Sequence, residues 1–203
     1  RNGDIDLARE TIEEGTDMAA QIGAAAEESG GASFLGQIAW MKGEYESAIE
    51  SQQRALQAGQ MSGLPFYQTG PLCALGTIYQ DISAELAGKT VEYHTQALEL
   101  MEMPLGTAMG AANWAEIGFC ALAAGDVERA SELFQKGLTT STAMKYLARP
   151  QLLAGSAFVA LTKGDSDEAA RLVQEAREYV EERAMKYMYA FVAFAAAQVS
   201  AAQ

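Results

Sequence analysis

The sequence predicts an all-α protein built as a solenoid of antiparallel helical hairpins. Helix-forming residues dominate nearly every window, only four of the 203 residues are Pro, and no run of β-branched residues alternates with a period of two. A glycine followed by an acidic residue also recurs at intervals close to 40 residues or twice that, at Gly3-Asp4, Gly43-Glu44, Gly125-Asp126 and Gly164-Asp165. A fixed period of this length is typical of helical repeat proteins.

Each glycine-acidic pair predicts the turn between the two helices of one hairpin. Glycine past a helix end adopts the left-handed conformation that closes the helix, and the acidic side chain accepts from free N–H groups of the next helix. Small residues follow these glycines by five positions (Ala8, Ala48, Ala130, Ala169) and by twelve (Gly15, Ala55, Gly137, Ala176). Others precede them by seven positions, at Gly36, Gly118 and Ala157. Small side chains allow close approach, so these positions predict where paired helices cross.

In chain order, the spacing predicts four complete hairpins and a half repeat at each end, all in one domain. The boundaries are a half repeat at 1–29, repeats at 30–69, 70–110, 111–149 and 150–183, and a half repeat at 184–203. We expect residues 3 to 27 to be the second helix of a hairpin that lacks its first. The last half repeat, with Tyr187, Phe191, Val192 and Phe194 around it, leaves apolar surface uncovered. The chain is thus predicted to be truncated at both ends, a piece of a longer protein whose terminal helices favour a homodimer.

The second hairpin departs from this spacing. Gly76 and Ala97 are 21 residues apart, whereas Gly118 and Gly137 are 19 apart. The extra length predicts a local irregularity between residues 81 and 89. The four prolines are predicted to lie in or near the links between repeats, at Pro65, Pro71, Pro104 and Pro150.

The third repeat resembles the tetratricopeptide repeat (TPR), whose pattern is W-x2-L-G-x2-Y followed by A-x3-F. The matching residues are Trp114, Ile117, Gly118 and Ala121, then Ala130, Phe134 and Gly137. Leu35-Gly36 and Leu75-Gly76 match in the preceding repeats, and Ala157 and Ala169 match in the last. The resemblance implies a right-handed superhelix. The interval near 40, longer than the family's 34, is similar to that of TPR-like regions in large bacterial signalling and transcription regulators.

The resemblance also implies that the first helix of each hairpin lines a concave groove. The groove residues carried over in this way are Ser33, Gln37, Trp40, Met41, Cys73, Thr77, Gln80, Ala115, Phe119, Leu122, Ala154, Phe158 and Leu161. None is Lys, Arg or Asn, the residues with which some TPR proteins grip a C-terminal carboxylate, so we expect no such clamp. Trp40, Met41, Phe119 and Phe158 instead suit a helix or an apolar peptide. The alternative is that these side chains pack on one another or on a neighbouring domain.

Composition and charge narrow the classes of partner. Fourteen basic and 27 acidic residues give a net charge of −13, which repels phosphate backbones and anionic lipids, so we expect no nucleic-acid or membrane partner. Cys73 and Cys120 fit neither a metal spacing nor a disulfide framework, which favours a cytoplasmic protein. The longest apolar stretch, 188–202, is interrupted by Gln198 and Ser200 and is too short to span a bilayer.

Motifs that carry chemistry are sparse. Gly88-Lys89-Thr90 matches the end of a phosphate-binding P-loop, but Ser83 stands where that motif needs glycine and no strand precedes it, so we interpret it as a helix turn. His94 is the only histidine, which excludes two-His metal sites within one chain. Its place corresponds to Phe134, which predicts core packing, and Cys120 is predicted to fill core space. We expect no catalytic residues, metal or cofactor.

These observations favour a non-catalytic protein-protein interaction module or regulatory scaffold. Its partner would be a protein, a peptide or neighbouring domains of the parent chain. A small-ligand (inducer) sensor remains an alternative, which a compact pocket lined by Trp, Tyr and Gln would indicate. An enzyme or nucleotide-binding domain is the third class.

Overall fold

The computed structural model describes residues 5–103, 110–139 and 145–202, and these form ten α-helices and no β-strand. The helices are α1 (Ile5–Ile22), α2 (Ala25–Met41), α3 (Tyr45–Ser62), α4 (Phe66–Ile82), α5 (Ala87–Met101), α6 (Gly110–Ala123), α7 (Val127–Thr139), α8 (Lys145–Thr162), α9 (Ser166–Glu182) and α10 (Tyr189–Ala201). Short 3₁₀ turns precede α5 and α10, at Ala84–Leu86 and Lys186–Met188. The prediction of an all-α chain is confirmed.

The helices belong to two compact units, where the sequence predicted one domain. The first unit, residues 1–107, contains α1 to α5, and the second, residues 108–203, contains α6 to α10. Consecutive helices pack on each other within each unit. Alternate helices also touch, α2 with α4 in the first unit, and α8 with both α6 and α10 in the second. Each unit therefore has a repeat-like helical fold.

Three of the predicted glycine turns are left-handed. Their φ angles are 77° at Gly43, 82° at Gly125 and 81° at Gly164. The acidic residue that follows caps the next helix in two cases: Asp126 Oδ1 accepts from the backbone N–H of Arg129 at 3.1 Å, and Asp165 Oδ1 from that of Glu168 at 3.0 Å. Left-handed backbone favours glycine, which is why glycine recurs here. The predicted turn at Gly3 lies outside the described residues.

A second series of left-handed residues links one hairpin to the next. Their φ angles are 73° at Gly23, 69° at Gly63 and 50° at Ala184. Gly23 and Gly63 are 40 residues apart, the same interval as that between Gly3 and Gly43. Hairpins consequently begin earlier than predicted, at residues 25, 66 and 145 instead of 30, 70 and 150. Residues 25–27 belong to α2, not to the first half repeat.

The predicted small residues lie between helices wherever a hairpin is complete. Six of them are 0% exposed: Ala48, Ala55, Ala130, Ala157, Ala169 and Ala176. A Cβ added at Gly118 would lie 2.6 Å from the ring of Phe134, and one added at Gly137 would lie 2.5 Å from Leu152 Cδ2. Real Cβ atoms do not approach this closely, so a larger residue at either position would force the facing side chain to move. The crossing positions are confirmed in these hairpins, whereas Ala8 and Gly15 of α1 are exposed.

The predicted irregularity in the second hairpin is confirmed. Helix α4 ends at Ile82, and the 3₁₀ turn at Ala84–Leu86 intervenes before α5. The Ser83 side chain accepts from the backbone N–H of Glu85 at 3.1 Å and so caps this turn. The 3₁₀ turn takes up the extra residues and leaves the paired helices in register.

The prolines are predicted to lie in or near the links between repeats, but two of them lie inside helices. Pro65 directly precedes α4, but Pro71 and Pro150 lie inside α4 and α8. Pro104 lies outside the described residues. Pro71 has no N–H, so the carbonyl of Tyr67 loses its helix partner. The buried Ser29 hydroxyl lies 3.0 Å from that carbonyl and 2.8 Å from the carbonyl of Ala55, and its one proton serves both.

Candidate functional site

The predicted groove residues are divided between the two units. In the first unit, α2 and α4 carry them at Ser33, Gln37, Trp40, Met41, Cys73, Thr77 and Gln80. In the second, α6 and α8 carry them at Ala115, Phe119, Leu122, Ala154, Phe158 and Leu161. Three of these are 2% exposed or less and contribute to packing beneath a surface, not to a lining: Cys73, Ala115 and Ala154. Their small side chains fit between helices, which explains the departure from the prediction.

In the first unit, Trp40 connects α2 with α4. Its indole Nε1 donates to Asp81 Oδ2 at 2.9 Å, and its ring packs beside the buried residues Ala39, Ala48 and Ile78. Trp40 is half-buried and held in one orientation. Met41, the next residue, is 74% exposed. The predicted aromatic anchor of this unit therefore already has a partner for its polar atom.

His94 is buried between α4 and α5. Its ring faces Gly76, where an added Cβ would clash with it, and its Nε2 lies 3.3 Å from the carbonyl of Cys73. Burial lowers the pKa of His94 from the ordinary 6.5 to about 4, and the hydrogen bond to Cys73 opposes this shift only in part. The imidazole is therefore neutral near pH 7, with Nε2 as the donor. Core packing in the place of Phe134 is confirmed, since both rings face a glycine.

The residues that resemble a P-loop end lie in the first turn of α5. Lys89 Nζ is 4.5 Å from the centre of the Tyr79 ring, a cation–π contact, and Thr90 Oγ1 donates to the carbonyl of Gly76 at 3.0 Å. Tyr79 also stacks on Tyr93, with ring centres 5.7 Å apart. The prediction that this segment is a helix turn is confirmed.

In the second unit, four phenylalanines from four helices form a cluster with Phe119 at its centre. The centre of the Phe119 ring lies 5.1 Å from that of Phe134, 6.4 Å from that of Phe158 and 5.9 Å from that of Phe191. All three contacts are edge-to-face, the arrangement that aromatic quadrupoles favour. Phe134 is fully buried, while the other three rings are half-buried. We call these three rings, Phe119, Phe158 and Phe191, the aromatic face.

The aromatic face brings together two predicted groove residues and one that was not predicted. Phe119 and Phe158 occupy the same place in α6 and α8, one residue after Gly118 and Ala157. Phe191 is in α10, and nothing in its local pattern distinguishes it from the other aromatic residues of that helix. The packing of α10 on α8 brings it to the cluster.

A shallow cleft of about 300 Å³ lies between α9 and α10, away from the predicted positions. It is lined by Arg177, Val180, Glu181, Tyr189, Val192 and Ala193.

In the described part of the chain, no three His, Cys, Asp or Glu residues are grouped as a metal site would require. None of the helices placed there is long and apolar enough to cross a membrane.

Comparison with known proteins shows a similarity in fold. No model of a protein family matches the chain, and no curated protein sequence matches it. Among solved structures, that of BtubC (BKLC) from P. vanneervenii is similar, with a TM-score of 0.65 at 20% sequence identity. The match covers 92% of this chain and 76% of that one. The likeness shows a shared all-helical, repeat-like fold.

Proposed function

We propose that the chain is a non-catalytic protein-interaction module that holds an apolar peptide or helix against the aromatic face. In this proposal it is a regulatory scaffold within a larger multidomain regulator, with the right-handed TPR-like winding that its repeats resemble. The observation that carries the proposal is the aromatic face itself, because three half-buried rings come from three alternate helices of one unit. Rings in this arrangement are typical anchors of peptide binding.

The packing below the aromatic face supports this role. Phe134 is 0% exposed and contacts Phe119 from beneath, and glycines at 118 and 155 leave room for its ring. The aromatic face therefore rests on a rigid base. Side chains that are ordered before binding lose little entropy when a ligand arrives, so their apolar area contributes more fully to affinity.

The charge of the chain defines the partner further. A net charge of −13 attracts basic segments and repels acidic ones over several ångströms, most strongly at low salt. We therefore propose a partner segment with two or three apolar anchors flanked by Lys or Arg. Apolar contacts would give it affinity, and the basic flanks would speed its association.

The test is selection of binders from a random-peptide display library on the immobilised chain, followed by fluorescence polarisation with the selected peptides. We expect peptides of this pattern, with binding weakened at least about tenfold by Phe158→Ala. Phe34→Ala is the matched control, because Phe34 is 57% exposed on α2 of the first unit, and it should leave affinity unchanged. Peptides that bind both variants like the wild type would contradict the proposal. A small molecule that copurifies one-to-one would favour the inducer-sensing alternative.

A further inference from the structure

Two of the hairpins carry an ion pair between the same two positions, but with the charges exchanged. In α2–α3, Arg54 Nε donates to Glu28 Oε1 at 2.9 Å. In α8–α9, Arg149 Nη2 donates to Glu175 Oε1 at 2.5 Å. In both hairpins the first residue of the pair lies 15 positions before the turn glycine, and the second lies 11 positions after it. The first helix is therefore negative at this position in one hairpin and positive in the other.

Each of these ion pairs is partly buried and is held by a further residue. The four side chains are between 18% and 38% exposed. Asp17 of α1 also accepts from Arg54, at 3.0 Å, and the guanidinium of Arg149 lies 5.7 Å from the centre of the Tyr179 ring. Charges that are fixed and partly shielded from water interact more strongly than charges on mobile, fully solvated side chains.

The second helices of the two hairpins are alike at the positions where paired helices cross. Ala48 and Ala55 in α3 correspond to Ala169 and Ala176 in α9, and all four are 0% exposed. The helices also have similar lengths, 18 residues in α3 and 17 in α9. The crossing positions therefore do not tell α3 from α9. Similar elements of this kind are the ones that repeat proteins misassemble or exchange during folding.

The other two complete hairpins show that the fold does not require an ion pair at these positions. The corresponding residues are Gln68 and Gln96 in α4–α5, and Gly110 and Lys136 in α6–α7. Neither combination joins opposite charges. The charges in α2–α3 and α8–α9, and their opposite order, therefore call for an explanation other than the geometry of the hairpin.

We propose that the two ion pairs determine which helices pair during folding, and keep α2 with α3 and α8 with α9. Exchange of the second helices, within one chain or between two copies, would place Glu28 opposite Glu175 and Arg149 opposite Arg54. Like charges repel at such partly buried positions, whereas each native pair gains an attraction. The charges thus select the correct partner by disfavouring the wrong one, where the crossing positions cannot.

The test is refolding of the full chain by dilution from urea, with the yield of monomer measured by size-exclusion chromatography and light scattering. Glu28→Arg combined with Arg54→Glu keeps an ion pair but gives both hairpins the same order of charges, so the yield should fall at least about twofold. Arg149→Glu combined with Glu175→Arg should have the same effect. All four substitutions together restore opposite orders and should recover the wild-type yield. Arg129→Glu combined with Glu132→Arg, a pair within α7, is the control and should refold like the wild type.

Urea unfolding of the same variants separates partner selection from stability. Each double reversal loses a second contact, from Asp17 to Arg54 or from Arg171 to Glu175, so each should lower the free energy of unfolding. The two pairs lie in different units, so the fourfold variant should show the sum of both losses. Its refolding yield should nevertheless recover. A yield that is lowest in the fourfold variant would overturn the proposal, as would double variants that refold like the wild type.

Discussion

The hairpin α4–α5 in the first unit and the hairpin α6–α7 in the second fill the same place in different ways. In the first, the imidazole of His94 lies against Gly76, and in the second the ring of Phe134 lies against Gly118. The difference extends to the units, because six of the seven buried polar residues described belong to the first: Thr16, Ser29, Gln52, Thr69, Thr90 and His94. Asn113 is the seventh.

This comparison teaches that where glycine occupies the crossing position, the planar side chain opposite it is polar in one hairpin and apolar in the other. A polar ring is tolerated where a backbone carbonyl satisfies it, as Cys73 does for His94. An apolar ring needs no such partner and can contact further rings, as Phe134 contacts Phe119. The second unit can thus build the aromatic face on its core, whereas the first uses its core side chains to bond its own backbone.

The largest expected effect is in the second unit, on truncation of Phe134. Phe134→Ala should lower the free energy of unfolding by about 4 kcal/mol, since it removes a fully buried ring and leaves a cavity under Phe119. Urea unfolding followed by circular dichroism measures the change. Phe194→Ala, at a 57% exposed position, is the control and should change it by less than about 0.5 kcal/mol. A loss below about 1 kcal/mol for Phe134→Ala would refute the core role.

The first unit should differ in its response to acid. His94 has a pKa of about 4 when folded and 6.5 ordinarily, so between these values the unfolded chain binds the proton first. The free energy of unfolding should therefore fall by up to about 3 kcal/mol as the pH drops from about 6.5 to 4. Below pH 4 the folded and unfolded chains both bind the proton, so His94 should cause no further loss of stability. His94→Gln removes the titrating group, so the difference between wild-type and variant unfolding free energies isolates its effect. A difference that does not vary with pH would contradict the assignment.

The smallest effect concerns Trp40. Trp40→Phe keeps most of the apolar contact and removes the hydrogen bond to Asp81, and should cost about 1 kcal/mol of stability. Thermal melting measures the loss. Asp81→Asn keeps an acceptor oxygen and should cost less than the tryptophan substitution. Equal losses for both would show that the carboxylate charge, not the hydrogen bond, matters.

The parts of the fold that depend on local spacing were predictable from the sequence. Left-handed turns need glycine and crossing helices need small residues, so Gly43, Gly125 and Ala130 each indicate structure by their position alone. The 3₁₀ turn after α4 was predictable for the same reason, because a change in spacing must be taken up locally.

The parts that depend on contacts distant in the sequence were not predictable. Phe191 joins the aromatic face because α10 packs on α8, a contact that no local pattern encodes. Proline is usually excluded from the interior of a helix because it leaves a carbonyl without a partner. In α4 the hydroxyl of Ser29, 38 residues from Tyr67, satisfies the carbonyl that Pro71 leaves free. Three predicted groove residues, Cys73, Ala115 and Ala154, are buried because their small side chains fit between packed helices.

The two interleaved series of turns also determine how the gene can gain or lose length. Gly23 and Gly63 terminate equivalent helices 40 residues apart, so deletion of residues 24–63 would join α1 to α4 through a link of the same kind that now joins α1 to α2. A deletion that removed only part of such an interval would leave a turn glycine within a helix or remove the turn between two helices. Insertions and deletions inherited by such a chain should therefore come in whole steps of one hairpin.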